Sequence, residues 1–156
     1  MENRIGIGYD LHRLAEGRPL YLGGVNIPFS KGLIGHSDAD VLCHAICDAI
    51  LGACNEPDIG EHFPDTDSRF RGISGGELIR MTCRIVRKKR AVDIINLDTV
   101  VVCDSPNLSS YKQRMAAEIA GFLEINTDRV SIKAKTSEET RRDCICAYAV
   151  ILLNVG

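Results

Sequence analysis

Gly35-His36-Ser37-Asp38-Ala39-Asp40-Val41-Leu42-Cys43-His44-Ala45-Ile46-Cys47-Asp48 sets four titratable side chains, His36, Asp40, His44 and Asp48, at a four-residue step. On a helix that step stacks side chains along one face. Val41, Leu42, Ala45, Ile46, Ala49 and Ile50 supply an apolar side to bury. Ser37 and Asp38 stand where a cap is wanted, so the pattern predicts an amphipathic helix from about Asp38 to about Ala53. Its N-terminus would offer unpaired N–H groups and a partial positive charge. Imidazoles and carboxylates beside such a helix end suit a metal ion and a phosphate. The same stripe also reads as the solvated polar face of an ordinary surface helix.

Upstream, Arg4 to His12 reads as a first strand whose glycines, Gly6 and Gly8, imply close backbone approach. Asp10 and His12 are two apart and face the same way on an extended segment. With His44 from the helix they would complete a two-histidine, one-carboxylate set, a usual ligand set for a catalytic zinc with an open fourth position. Asp-x-His alone is also common on half-exposed strands. Leu20 to Phe29 resembles a hairpin with Gly23-Gly24 near its turn and Pro28 toward an edge or end, and Ser30 to Gly35 reads as a loop.

Downstream, Asn55 to Asp67 carries two prolines, a glycine and a run of acidic residues, either a solvated linker or a functional loop. Ser74-Gly75-Gly76-Glu77 is a capping-box pattern opening a helix to about Lys89, with Leu78, Ile79, Thr82, Ile85 and Val86 inward. The basic run Arg87 to Arg90 suits the C-terminal end of that helix, a nucleic-acid patch being the sharper alternative. Ala91 to Cys103 reads as a strand buried on both faces for part of its length. A helix follows from Ser109 or Ser110 to about Leu123, with Met115, Ile119 and Phe122 inward. Two strands come next, Val130 to Lys135 and Cys144 to Val155, the last forming an edge of the core. The order predicts one α+β domain over residues 1–156, a mixed β-sheet with helices packed on one face.

The chain has 156 residues and a formal net charge of −2, which leaves no electrostatic footprint for nucleic acid or an anionic membrane. No apolar run approaches the ~20 residues of a membrane span, and Met1-Glu2-Asn3-Arg4 lacks a signal-peptide layout. Seven cysteines, an odd number in apolar surroundings, point to reduced thiols and a cytoplasmic setting. Cys144-x-Cys146 can face one side of a strand and hold a metal, or be buried as small hydrophobes.

Several segments in order, Gly8-Tyr9-Asp10-Leu11-His12, Gly23-Gly24-Val25-Asn26-Ile27-Pro28, Lys31-Gly32-Leu33, His36-Ser37-Asp38-Ala39-Asp40, Leu51-Gly52-Ala53, Asp58-Ile59-Gly60 and Phe63-Pro64-Asp65-Thr66-Asp67, resemble the 2-C-methyl-D-erythritol 2,4-cyclodiphosphate synthases. The resemblance covers nearly the whole chain. It implies a ferredoxin-like α+β fold assembling as a homotrimer, with active sites between neighbouring subunits, in the cytoplasm or in a plastid. The implied reaction cyclises 4-diphosphocytidyl-2-C-methyl-D-erythritol 2-phosphate and releases CMP, in the non-mevalonate route to isoprenoids. Asp10, His12 and His44 would hold zinc, and Glu138 a second divalent cation, magnesium or manganese. His36 and Thr136 would steady the transferring phosphoryl group. Ser37, Asp48, Asp58, Gly60, Phe63, Asp65 and Asp67, with His36, would line the methylerythritol phosphate pocket. Cys103, Asp104, Ser105, Pro106, Ala134 and Lys135 would form the cytidine site.

Two departures stand out. Asn107 occupies the place of a family lysine, and the turn Glu139 to Cys144 is shorter than the family's, with Arg141 and Asp143 as candidates for the Arg and Glu of its trimer channel. The competing readings are a zinc-dependent phosphohydrolase, which would use the same triad to activate water, and a non-catalytic diphosphate-binding trimer.

Overall fold

Seven strands and four α-helices make up the computed structural model, which describes residues 1–156: β1 (Glu2–Glu16), β2 (Leu20–Leu22), β3 (Val25–Ile27), β4 (Lys31–Leu33), α1 (Val41–Ala53), α2 (Ile59–His62), α3 (Gly75–Lys89), β5 (Val92–Val102), α4 (Lys112–Leu123), β6 (Val130–Lys135) and β7 (Cys144–Val155). The main sheet runs β4-β1-β7-β5-β6, and β2-β3 form a separate ribbon. Only β5 and β6 pair in parallel. The β4–β1, β1–β7 and β7–β5 ladders are antiparallel. This is the mixed sheet with helices on one face that the pattern predicts. The layering is that of a ferredoxin-like sandwich, with α4 bridging the parallel β5–β6 pair and β7 at the centre of the sheet.

The last strand is not at an edge, as expected, but in the middle, bonded to β1 over Glu2–Arg13 and to β5 over Val92–Val102. Its apolar run has a different cause: one side of the strand is buried in the core, and the other carries Tyr148 and Val150 on the open apolar face. Ser30 to Gly35 is not all loop either. Lys31–Leu33 forms β4, adding a three-residue rung to β1 through Leu14↔Leu33 and Glu16↔Lys31.

What seats α1 on the sheet is the pair Gly6 and Gly8. A Cβ on Gly6 would lie 1.8 Å from the Ala49 carbonyl oxygen, and one on Gly8 1.8 Å from that of Ala45. Only glycine lets strand and helix backbones approach so closely. The helix starts at Val41, later than the predicted Asp38. Ala39 has φ 58° in the left-handed region, and Asp40 is the N-cap, accepting from the Cys43 amide at 3.1 Å. Asp40 is fully buried, so it is not part of a solvated stripe. Its other contacts are the Gly23 and Gly24 amides at 2.9 and 2.7 Å, which tie the β2–β3 turn to α1.

Ser74 caps α3 as predicted, accepting from the Glu77 amide, and Leu78, Ile79, Thr82 and Val86 are buried. A 3-10 turn over Ser109–Tyr111 precedes α4. The core lies between the helices and one sheet face. The opposite face of β1 and β7 is apolar and open: Ile5 is 72% and Ile7 69% exposed, with Tyr9, Leu11, Tyr148 and Val150 beside them. No helix is long and apolar enough to cross a membrane.

Candidate metal centre and adjoining pockets

Because Gly8 brings α1 onto β1, His44 at the first turn of the helix reaches the strand residues Asp10 and His12. Asp10 Oδ2 lies 2.9 Å from His12 Nε2 and 3.0 Å from His44 Nδ1, and the two imidazole nitrogens are 3.3 Å apart. The outward nitrogens are both engaged. His12 Nδ1 lies 2.6 Å from the Ile34 carbonyl oxygen, and His44 Nε2 3.0 Å from Ser37 Oγ, which also accepts from the Ala39 amide. A carbonyl can only accept, so His12 Nδ1 carries its proton and Nε2 offers a lone pair inward. The Ser37 hydroxyl can donate to or accept from His44 Nε2, so this contact fixes the orientation of the ring and leaves Nδ1 facing Asp10. One carboxylate oxygen and two ring nitrogens thus converge on one point, where each can offer a lone pair to a cation. Asp, His and His with open access match the donor set of a catalytic divalent site. Hydrogen-bonded outer nitrogens are the usual way such ligands are oriented.

The same closeness couples the three groups in the metal-free protein, where a proton takes the place of a cation. Burial pushes the Asp10 carboxyl up, but hydrogen bonds and charge from His12 and His44 outweigh it and hold it well below the usual carboxylate range. Burial works against protonation of His12, and the hydrogen bond and charge of Asp10 overcome it, so its pKa is raised.

The centre opens into a pocket of about 220 Å³ lined by Asp10, His12, His44, His36, Ser37, Gly60, Phe63 and Asp65. Ile59, Phe70, Ile73 and Leu78 make an apolar wall that spacing did not reveal. Phe63 and Phe70 meet edge-to-face at 5.2 Å. The available signal was two large apolar residues, Phe70 and Ile73, in an otherwise polar loop. The remaining predicted residues of this pocket stand at its supports. Asp48 accepts from the Ile59 amide at 2.8 Å and so anchors α2. Burial raises its pKa, against that hydrogen bond. Asp58 caps α2 through the Glu61 amide. Asp67 pairs with Arg69, and its carbonyl oxygen lies 3.3 Å from His36 Nε2.

A second pocket, about 130 Å³, gathers Cys103, Asp104, Ala134, Lys135 and Thr136 with Asn107, Leu108 and Ser109. It shares no residue with the first. Ser105 and Pro106 are joined by a cis peptide beside it, and the Cys103 thiol donates to the Ser105 carbonyl at 3.1 Å. Burial pushes that thiol up to about 12, so it stays protonated. Asp104 accepts from both the amide and the hydroxyl of Ser137 at 2.6 Å, holding the turn that carries Thr136 and Glu138. Glu138 and Glu139 both adopt positive φ in the short turn. Glu138 lies beside Thr136, its oxygen 3.5 Å from Thr136 Oγ1.

Fold and site together define an α+β domain with an Asp-His-His centre for a divalent metal. The chain belongs to the YgbB family, which matches residues 3–154. It is similar to a protein of Syntrophobacter fumaroxidans named 2-C-methyl-D-erythritol 2,4-cyclodiphosphate synthase, 51% identical over 96% of each chain. Among solved structures it superposes on a 2C-methyl-D-erythritol-2,4-cyclodiphosphate synthase in its CDP-bound form, with a TM-score of 0.91, 38% identity and coverage of 97% of this chain and all of that one. It superposes equally on the bifunctional IspDF of Campylobacter jejuni, with a TM-score of 0.92 and 39% identity, covering 97% of this chain and 42% of that one.

Proposed function

We propose that this chain, as one domain over residues 1–156, is a metal-dependent phosphorus–oxygen lyase. It converts 4-diphosphocytidyl-2-C-methyl-D-erythritol 2-phosphate to 2-C-methyl-D-erythritol 2,4-cyclodiphosphate with release of CMP. The observation that carries the reading is the convergence of Asp10, His12 and His44 on one point, with both outer nitrogens tied down, in a chain about half identical to synthases of that name. Divalent cations, zinc held by Asp10, His12 and His44 and magnesium or manganese held by Glu138, would supply charge neutralisation for the phosphates.

The chain's own groups hold the substrate. An oxygen of the 2-phosphate attacks the diphosphate phosphorus nearer the methylerythritol. The bond from that phosphorus to the bridging oxygen breaks, and CMP leaves with the electron pair. The attacking oxygen is already ionised at neutral pH, so no side chain has to remove a proton. The apolar wall of Phe63, Phe70, Ile73 and Leu78 excludes water from the reacting ends, which favours ring closure over hydrolysis. His36 and Thr136 orient the phosphoryl group. Ser37, Gly60 and Asp65 bound the methylerythritol, and Asp48, Asp58 and Asp67 hold the walls. Cys103, Asp104, Ser105, Pro106, Ala134 and Lys135 seat the cytidine.

The protein acts as a homotrimer in the cytoplasm, where its seven free thiols stay reduced. The open apolar face of β1 and β7 supports association of copies, since so large an apolar strip is unfavourable in water. Light scattering should return three times the 17.1 kDa of one chain. The activity test is purified protein with substrate and magnesium, followed by phosphorus NMR. Cyclic diphosphate and CMP are expected. Free phosphate would point to a phosphohydrolase, and tight binding without turnover to a non-catalytic binding trimer; either rejects the reading.

A further inference from the structure

The metal centre is oriented from outside by one short segment, Leu33 to Asp40. Its Ile34 carbonyl holds His12, and its Ser37 hydroxyl holds His44. A carbonyl can aim an imidazole only if its own peptide is fixed, and a loop segment is not fixed by itself. Here the fixing group is Arg18, in the connection between β1 and β2. Its Nε donates to the Leu33 carbonyl at 2.8 Å and its Nη2 to the Gly35 carbonyl at 3.3 Å. The guanidinium thus grips the peptide planes before and after the Ile34–Gly35 peptide, whose carbonyl faces His12. From the other direction, the Ile34 amide donates to the Arg13 carbonyl at 2.9 Å. Gly32 lets β4 lie against the backbone of the same residue, since a Cβ there would be 2.5 Å from the Arg18 carbonyl oxygen and 2.1 Å from that of Pro19.

We propose that Arg18 is a positioning residue for the metal centre: its two-pronged grip on Leu33 and Gly35 keeps the Ile34 carbonyl on His12 Nδ1 and so aims His12 Nε2 at the ion. The assignment rests on the metal reading above. It requires Arg for its shape as well as its charge. A planar fork spans two carbonyls at once, whereas a lysine ammonium on a flexible stem does not hold both peptide planes in one geometry. Charge-assisted bonds of this kind are stronger than neutral ones, which suits a clamp on a loop. Arg18 does not line the pocket, so its removal takes nothing from the substrate's walls.

The test measures zinc affinity by chelator competition on wild type, Arg18→Ala, Arg18→Lys and, as a control on an exposed helix face, Arg84→Ala. Melting of the metal-free proteins is followed in parallel. Loss of an orienting partner costs metal sites about 10–100-fold in affinity, and Arg18 acts one step further out, so about 10-fold is expected for Arg18→Ala. Arg18→Lys should fall between Ala and wild type, and Arg84→Ala should match wild type. In cobalt-loaded protein the visible spectrum of Arg18→Ala should differ from wild type, reporting altered ligand geometry. Wild-type zinc affinity in Arg18→Ala, with or without a lower melting temperature, overturns the proposal. Should the alanine variant not fold, Arg18→Lys decides: affinity equal to wild type overturns it and weaker affinity supports it. Wild-type protein that takes up neither zinc nor cobalt overturns the metal reading and this one with it.

Discussion

Gly8→Ala is the substitution on which the geometry bears hardest. The new Cβ would stand 1.8 Å from the Ala45 carbonyl oxygen, 2.8 Å from its carbonyl carbon and 2.9 Å from the Ala49 amide nitrogen. Ordinary contact begins at 3.4 Å, so α1 must lift by roughly 3.4 − 1.8 = 1.6 Å at this point. The obstacles are helix backbone and cannot swing aside. Overpacking costs about 1–3 kcal/mol, and a backbone collision belongs at the upper end, about 3 kcal/mol. For a chain of this size that is a drop of about 6–12 °C in melting temperature. The lift also carries His44, the neighbour of Ala45, away from Asp10, with which it now shares a 3.0 Å contact. Metal–ligand distances tolerate about 0.2 Å, so zinc affinity should fall by orders of magnitude. Urea melts of the metal-free variant and chelator competition for zinc read the two effects separately. Gly121→Ala is the matched control, since a Cβ on that α4 residue meets nothing within 4 Å, and it should gain about 0.5–1 kcal/mol. A Gly8→Ala protein with wild-type stability and zinc affinity would refute the claim that this glycine sets the distance between strand and helix.

Further outcomes follow from the same geometry. Asp40→Ala strands the Gly23, Gly24 and Cys43 amides in a buried place and should cost about 3 kcal/mol or more in a urea melt. His44→Ala should abolish stoichiometric zinc yet keep a native circular dichroism spectrum, because the core is complete without a metal. Asp48 has a raised pKa in the folded state, chiefly from burial. The native protein therefore binds its proton more readily than the unfolded chain does, and its contribution to stability falls as pH rises from about 3.8 through the raised value. In Asp48→Asn its share of that slope should be lost in metal-free melts above about pH 3.8, Asp38, also raised by burial, keeping its own; an unchanged slope would place the titration elsewhere.

Much of this was legible in the residue order because local patterns and tertiary demands agree there. The Ser74 cap, the Gly-Gly turn and the Asp10, His12 and His44 set each express one physical need in a few adjacent positions. The four-residue stripe was legible only in part. His44 and Asp48 do share a helix face, but the left-handed Ala39 keeps the chain before Asp40 out of the helix, so His36 and Ser37 precede it, and Asp40 turns inward to the glycine amides. Periodicity has no means of showing which carboxylate finds buried donors on another element. The central place of β7 was missed because the apolar run of an inner strand resembles that of an edge strand packed under helices. The wall formed by Phe70, Ile73 and Leu78 depends on a chain return that no local spacing encodes. Arg18 leaves no trace in a pattern at all, since its partners are carbonyls, which every residue has.

The placement of β7 between β1 and β5 also has a consequence for how the protein is made. The two long strands β1 and β5 have no ladder with each other and meet only through β7, which is made after both. Until those twelve residues emerge, the nascent chain carries two open hydrogen-bonding edges and the glycine-lined groove of β1 with its helix but without its sheet. β1 and β7, more than a hundred residues apart, must find each other before either is secure. Shielding by chaperones should matter more during that interval than at any later time in the life of the molecule.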